Sequence, residues 1–238
     1  MNLITKILGQ WRPVVAMPIR TAQGKKPVQN GYVKTGGIWR PFFQAFKALR
    51  VTGRAISGVT QDPNLFHYES ISFKSITIAN GDKLVYEMYP MGPVCSTGID
   101  AMCYNPDGSI YAALRDYGHT GHPNAEIRNT TQLADQEGRP LHSGALIENP
   151  PPLNHWYYRV IDLSQVAGKT IKDWAVVFEG DQGGDYTTYF RYIRIEDSNG
   201  VVKGELFRDT LEVSALTVFQ GTSHSYSNIT KTVVAAPL

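Results

Sequence analysis

The sequence predicts a mostly β chain, a β-sandwich preceded by a basic amino-terminal arm. Its 238 residues are 42% hydrophobic and include 22 Gly, 14 Pro and 13 Tyr, with Val, Ile, Thr and Phe in short runs, the composition of strands broken by turns. From about Phe66 onward, strand-like segments recur without long helical patterns. Turn signals stand where hairpins need them, at Asn80-Gly81-Asp82, Asn105-Pro106-Asp107-Gly108 and Asp197-Ser198-Asn199-Gly200.

The arm spans residues 1–61 and contains a short repeat, Trp11-Arg12-Pro13 and Trp39-Arg40-Pro41, displaced by 28 residues. Between the copies, the Gly-punctuated run Asn30–Trp39 predicts a small β-hairpin. The next segment, Pro41–Arg50, places Phe42, Phe43, Phe46 and Leu49 at helical spacing and predicts a short amphipathic helix. Residues 62–238 form the β domain. Its strands are expected at Tyr68–Ile78, Lys83–Tyr89, Gly98–Tyr104, Ile110–Arg115, Trp156–Asp162, Ile171–Glu179, Thr188–Glu196, Val201–Leu206 and Leu211–Gln220. Asp116–Leu153 interrupts them, rich in Gly, Pro, Asn, His and charge. A loop of that length usually carries function, and it is expected to project from one end of the sandwich. A chain beginning near Val59 is expected to fold as a β domain without the arm.

Charge divides the same way. The first acidic residue is Asp62, and the residues before it carry ten Lys or Arg, so the overall +2 hides about +10 in the arm and about −8 beyond it. Such an asymmetry usually means that one part grips something negative: a nucleic acid, an acidic protein surface, or the chain's own acidic domain in a neighbouring subunit. Trp, Phe and Arg together are the residues of protein interfaces, so Trp11, Arg12, Trp39, Arg40, Phe42, Phe43 and Phe46 are the candidate docking residues, with nucleic acid the lesser expectation. The opening residues lack the uninterrupted apolar region of a signal peptide, and no stretch approaches the roughly 18 to 20 apolar residues that span a bilayer, so assembly in a cell's cytoplasm without a membrane partner is expected. Cys95 and Cys103 are too few for a disulfide scaffold and read as buried free thiols, with one local disulfide as the alternative.

Four strings carry a family resemblance: Asp107-Gly-Ser-Ile-Tyr-Ala-Ala-Leu-Arg-Asp-Tyr-Gly, Asp135-Gln-Glu-Gly-Arg-Pro-Leu-His, Trp156-Tyr-Tyr-Arg-Val-Ile-Asp-Leu-Ser-Gln-Val-Ala-Gly-Lys-Thr-Ile, and Tyr189-Phe-Arg-Tyr-Ile-Arg-Ile. Together, over about Tyr68–Val202, they resemble galactose-binding-like β-jelly-roll domains of the carbohydrate-binding-module type. The Trp-Arg-Pro units resemble short repeats of tailed-phage structural proteins. The resemblance implies a jelly roll, a glycan as ligand and a structural calcium. The Gly-rich turn Glu179–Asp185 would supply that ion with Asp181 and Asp185, and otherwise reads as an acidic surface loop.

No Gly-x-Ser-x-Gly nucleophile, phosphate-binding Gly loop or zinc-type Cys pattern occurs, so no enzyme activity is expected. The candidate glycan-binding residues are Arg115, Asp116, Tyr117, His119, His122, Asn124, Asp135, Arg139 and His142, charged and amide groups for hydroxyls with rings for sugar faces. His119 and His122, with Asp116 and His142, are the nearest approach to a metal set, but solvated or sugar-contacting imidazoles are expected. Trp156 and Trp174 are assigned to packing. The expected function is a non-enzymatic bacteriophage virion protein, present in many copies, that decorates or reinforces the particle with weak glycan adhesion. A tail-associated receptor- or polysaccharide-binding protein is the alternative, and a polysaccharide-degrading enzyme or its binding module the third reading.

Overall fold

The computed structural model describes residues 4–7, 10–13, 19–21, 24–26, 30–35, 38–44, 47–55, 66–91, 96–120, 122–147, 149–179, 184–211 and 226–237; side chains are described from Lys47 onward, save those of residues 55, 66, 96, 147 and 226–228. The chain divides into two compact units, Met1–Phe46 and Lys47–Leu238.

The first unit consists, among the described residues, of antiparallel two-stranded hairpins. They are β1 (Ile4–Ile7) with β2 (Gln10–Pro13), β3 (Ile19–Thr21) with β4 (Gly24–Lys26), and β5 (Asn30–Thr35) with β6 (Ile38–Gln44). The hairpin expected around Asn30–Trp39 is the third of these. The helix expected over Pro41–Arg50 is not formed among the described residues, which divide between β6 and β7 (Lys47–Ala55). A period of two overrides the helical spacing. Leu49, Val51 and Gly53 are buried while Arg50, Thr52 and Arg54 alternate with them at partly or fully exposed positions.

The second unit adds β8 (Phe66–Ser72), β9 (Ile76–Thr77), β10 (Lys83–Met91), β11 (Ser96–Tyr104), β12 (Ile110–Ala113), helix α1 (Ala125–Arg128), β13 (Tyr157–Asp162), β14 (Thr170–Glu179), β15 (Gly184–Glu196), β16 (Val202–Phe207) and β17 (Tyr226–Ala235). Two antiparallel sheets form a β-sandwich. One has the order β13-β10-β15-β7-β17 with β16 beside β15, and the other β12-β11-β14-β8 with β9 beside β14. The expected strands are present with small shifts, except that Tyr68–Ile78 is broken at residues 73–75, where the chain turns between β8 and β9. Leu211–Gln220, beyond Leu211, lies outside the described residues. β7 and β17 were not expected as strands of the sandwich. β7, assigned by sequence to the arm, pairs with both β15 and β17, so the second unit begins at Lys47.

Leu84, Tyr86, Met88 and Phe190 from the first sheet meet Ile99, Cys103, Trp174, Val176 and Phe178 from the second in one core. Cys103 is a buried free thiol, pushed up to about 12 by burial. The second sheet is buried on its other face too, where Tyr68, Ala175 and Val177 form a separate cluster.

The segment between β12 and β13 reaches that face, with Arg115 5.4 Å over the Tyr68 ring. It does not project as expected. Leu114, Tyr117, Ile127, Leu133 and Leu141 from it join the main core, and the Leu141 carbonyl lies 3.7 Å from where a side chain on Gly98 would begin. A side chain on Gly118 (φ +75°) would collide with the Gln132 backbone. Among the described residues no helix is long and apolar enough to cross a membrane.

Candidate functional site

Residues alternate across β11, β14 and β8, and the outward set is Gly98 and Asp100, Ala175 and Val177, Tyr68 and Ser70, in register with one another. A side chain on Gly98 would begin 3.7 Å from the Leu141 carbonyl and, from the first sheet, 3.7 Å from the Tyr86 hydroxyl and 3.9 Å from Arg159 Nη1. The start of the segment between β12 and β13, the 3-10 turn Leu114–Asp116, delivers Arg115 onto Asp100.

Asp100 is fully buried. Its Oδ2 accepts from the Tyr68 hydroxyl (3.0 Å), and its Oδ1 from the backbone N–H groups of Ala101 (2.8 Å) and Arg115 (3.2 Å). Burial raises its carboxyl to about 6, with the Arg115 charge opposing. Burial, reinforced by Asp100, holds the Tyr68 phenol well above its usual value. The Arg115 Nη1 donates to Glu179 Oε2 (2.9 Å), and its Nε stands 3.9 Å from Asp100 and 3.8 Å from Asp116. Glu179 Oε2 also accepts from Ser143 Oγ (2.8 Å) and Gly144 N (3.0 Å). A side chain at Gly144 would meet that carboxylate at 2.8 Å and displace it.

The imidazoles edge this cluster. His122 Nε2 is 3.8 Å from Asp116 Oδ2, while its Nδ1 accepts from Asn124 N (3.1 Å). His142 Nδ1 is 3.6 Å from Glu179; burial lowers its pKa, opposed by that carboxylate. The exposed His119 stacks on His142, centroids 5.2 Å apart and planes 13° from parallel.

Five of the nine residues singled out by sequence, Arg115, Asp116, His119, His122 and His142, therefore come together. The other four do not join them. Tyr117 is buried in the core. Asn124 caps α1 by accepting from Glu126 N (2.9 Å). Asp135 forms a wholly buried pair with Arg159, and Arg139 lies 4.8 Å over the Tyr157 ring. Sequence reasoning missed Asp100, Tyr68, Ser143 and Gly144, and assigned Glu179 to a different turn. The available signal was acidic residues at outward positions of otherwise apolar strands, as in Gly98-Ile99-Asp100 and Val177-Phe178-Glu179.

A second polar group lies inside the sandwich. His67 and Glu69 are opposite Phe178 and Val176, so they share the inner face. His67 Nε2 is 2.9 Å from Glu69 Oε1, and Lys231 Nζ is 3.5 Å from Glu69 Oε2. Of the calcium candidates, Asp181 lies outside the described residues, and Asp185 is exposed and stands opposite Arg54, 3.5 Å away. No group of three or more His, Cys, Asp or Glu that could hold a metal occurs among the described residues. Trp174 is buried and donates to Lys74 O (2.9 Å), and Trp156 is half-buried, packed on Tyr89 and covered by Arg191 at 4.0 Å. Trp11 and Arg12 fall in β2; Trp39, Arg40, Phe42 and Phe43 fall in β6; Phe46 lies outside the described residues. No known family model and no curated protein matches the chain.

Proposed function

We propose that the chain is a non-enzymatic virion protein of bacteriophage type, attached to the particle by its amino-terminal unit, with a galactose-binding-like jelly roll that decorates the surface and holds glycan weakly. The observation that carries the recognition reading is the gathering of Arg115, Asp116, His119, His122 and His142 on one sheet face. Sugar hydroxyls are held by charged donors and acceptors fixed in place, and Arg115 is clamped by Glu179 with Asp100 and Asp116 close by. The exposed His119 ring, backed by His142, adds a flat face and a polar edge. Binding is favoured over catalysis because Glu179 accepts three hydrogen bonds, from Arg115, Ser143 and Gly144, an arrangement suited to holding Arg115 in place rather than to passing a proton. The virion reading rests on the paired Trp-Arg-Pro units and the charge division of the chain.

The test is titration of bacterial surface oligosaccharides into isotope-labelled protein. Expected are shifts at Arg115, His119 and His142 with a Kd near millimolar, about −4 kcal/mol for one site, multiplied in effect by many copies. His119→Ala should abolish them without moving the thermal midpoint. No shift across the panel overturns glycan adhesion, and absence of the chain from purified particles by mass spectrometry overturns the virion assignment.

A further inference from the structure

The amino-terminal hairpins are one unit repeated three times. Their cross-strand pairs recur every 14 residues: Lys6 opposite Trp11, Arg20 opposite Lys25, Lys34 opposite Trp39. The adjoining pairs do the same, Thr5 with Arg12, Ile19 with Lys26, Val33 with Arg40, and a proline follows each time at Pro13, Pro27 and Pro41. The 28-residue displacement of the Trp-Arg-Pro strings is two such periods. Two positions are basic in every copy, whereas the aromatic position becomes Lys25 in the middle one. Charge is what each copy keeps.

The two constant cations fall on opposite faces of each hairpin, because neighbouring strand residues alternate. In the middle copy Arg20 and Lys25 stand directly opposite one another, a like-charge pair that weakens a two-stranded ribbon already marginal alone. No Asp or Glu precedes Asp62 to offset it. A flat acidic protein surface would neutralise one face of each hairpin; a flexible strand with charge at regular intervals reaches both. Trp is the residue type on which bases stack, and it stands at positions 11 and 39.

We propose that this unit binds single-stranded nucleic acid, phosphates against the repeated cations and bases on the two Trp. The inference rests on reading the unit as the attachment element and names what it grips.

Fluorescence anisotropy of the full chain with a labelled thirty-nucleotide oligo-dT, over a salt series, tests it. The seven Lys and Arg of residues 1–46 predict a slope of log K against log salt near about −5, at roughly 0.7 per phosphate contact. Deleting residues 19–32, one period, removes Arg20, Lys25 and Lys26 and should flatten the slope by about 2. The triple variant R20Q/K25Q/K26Q should match it without shortening the chain. W11A with W39A should weaken binding at constant slope. No binding at low salt, an unchanged slope in both charge variants, or competition by poly-L-glutamate equal to that by oligo-dT per charge overturns the proposal, the last in favour of an acidic protein partner. If the oligonucleotide binds as expected but the triple variant still joins particles normally, the attachment reading fails and nucleic-acid binding stands.

Discussion

Arg159 sits wholly inside the sandwich, where a guanidinium is tolerated because its donors are met. Nε reaches Asp135 Oδ2 (2.9 Å), Nη1 the Tyr86 hydroxyl (2.9 Å), and Nη2 the carbonyls of Arg139 (3.1 Å) and Pro140 (2.8 Å). Asp135 is equally engaged, accepting from the Tyr157 hydroxyl and from Glu137 N and Arg139 N. Removing one partner strands the other charge in the core. Asp135→Asn should therefore cost about 3 to 5 kcal/mol in urea unfolding, and a cost under about 1 kcal/mol would mean the pair behaves as a surface bridge. Asp100 gives a pH signature. Its carboxyl is raised from 3.8 to about 6, so between those values the folded chain holds a proton that the unfolded chain has released. This contribution is fully present below about pH 4 and is lost as pH rises through 6, about 3 kcal/mol in all. Unfolding free energies from pH 4 to 7 should show that decline in the native chain relative to Asp100→Asn. Parallel pH profiles for the two would refute it. The lowered His142 acts in the opposite sense, its stability fully present above its ordinary value of 6.5 and lost as pH falls below that through the lowered folded-state value.

Among the elements, β7 separates what sequence patterning reveals from what it conceals. The strands from β8 to β16 were legible because apolar alternation is bounded by Asn-Gly and Asp-Gly turns, a local signal. β7 follows an aromatic run whose spacing also fits a helix, and the two-residue period of Leu49–Arg54 wins through long-range pairing with β15 and β17. β17 was concealed because Ser227, Asn228, Thr230, Lys231 and Thr232 give it a polar edge-strand composition. Removing β7 should then be ruinous: a chain beginning at Val59 leaves β15 and β17 without their shared neighbour and is expected to lose cooperative thermal unfolding, while one beginning at Lys47 keeps it. Equal midpoints for the two chains would show β7 to be dispensable. The segment between β12 and β13 was misread for a related reason. Gly, Pro and His mark it as irregular, but irregular backbone can still be anchored, here by Leu114, Tyr117, Ile127, Leu133 and Leu141.

For the molecule as a whole, the site was half legible. Arg115, Asp116, His119 and His122 are neighbours in sequence and so were found together, with His142 later in the same segment. Asp100, Tyr68 and Glu179 come from three different strands, and their convergence is a property of sheet register that no local pattern carries. The same limit applies to the hairpin repeat. Two Trp-Arg-Pro strings catch the eye, while the copy between them lacks Trp and emerges from the pairing of Arg20 with Lys25.

The pairing of β7 with β17, which sets Lys47 opposite Ala235, has a temporal consequence. During synthesis the strand that opens the sandwich waits for the one that closes it, so its flank stays unpaired until the residues up to Ala235 have left the ribosome. Loop closure over that separation makes folding slow and leaves the nascent chain open to strand exchange with its neighbours. The same adjacency leaves the entry and exit of the finished unit side by side, so the sandwich can be carried as an insertion within another protein without its strands being pulled apart.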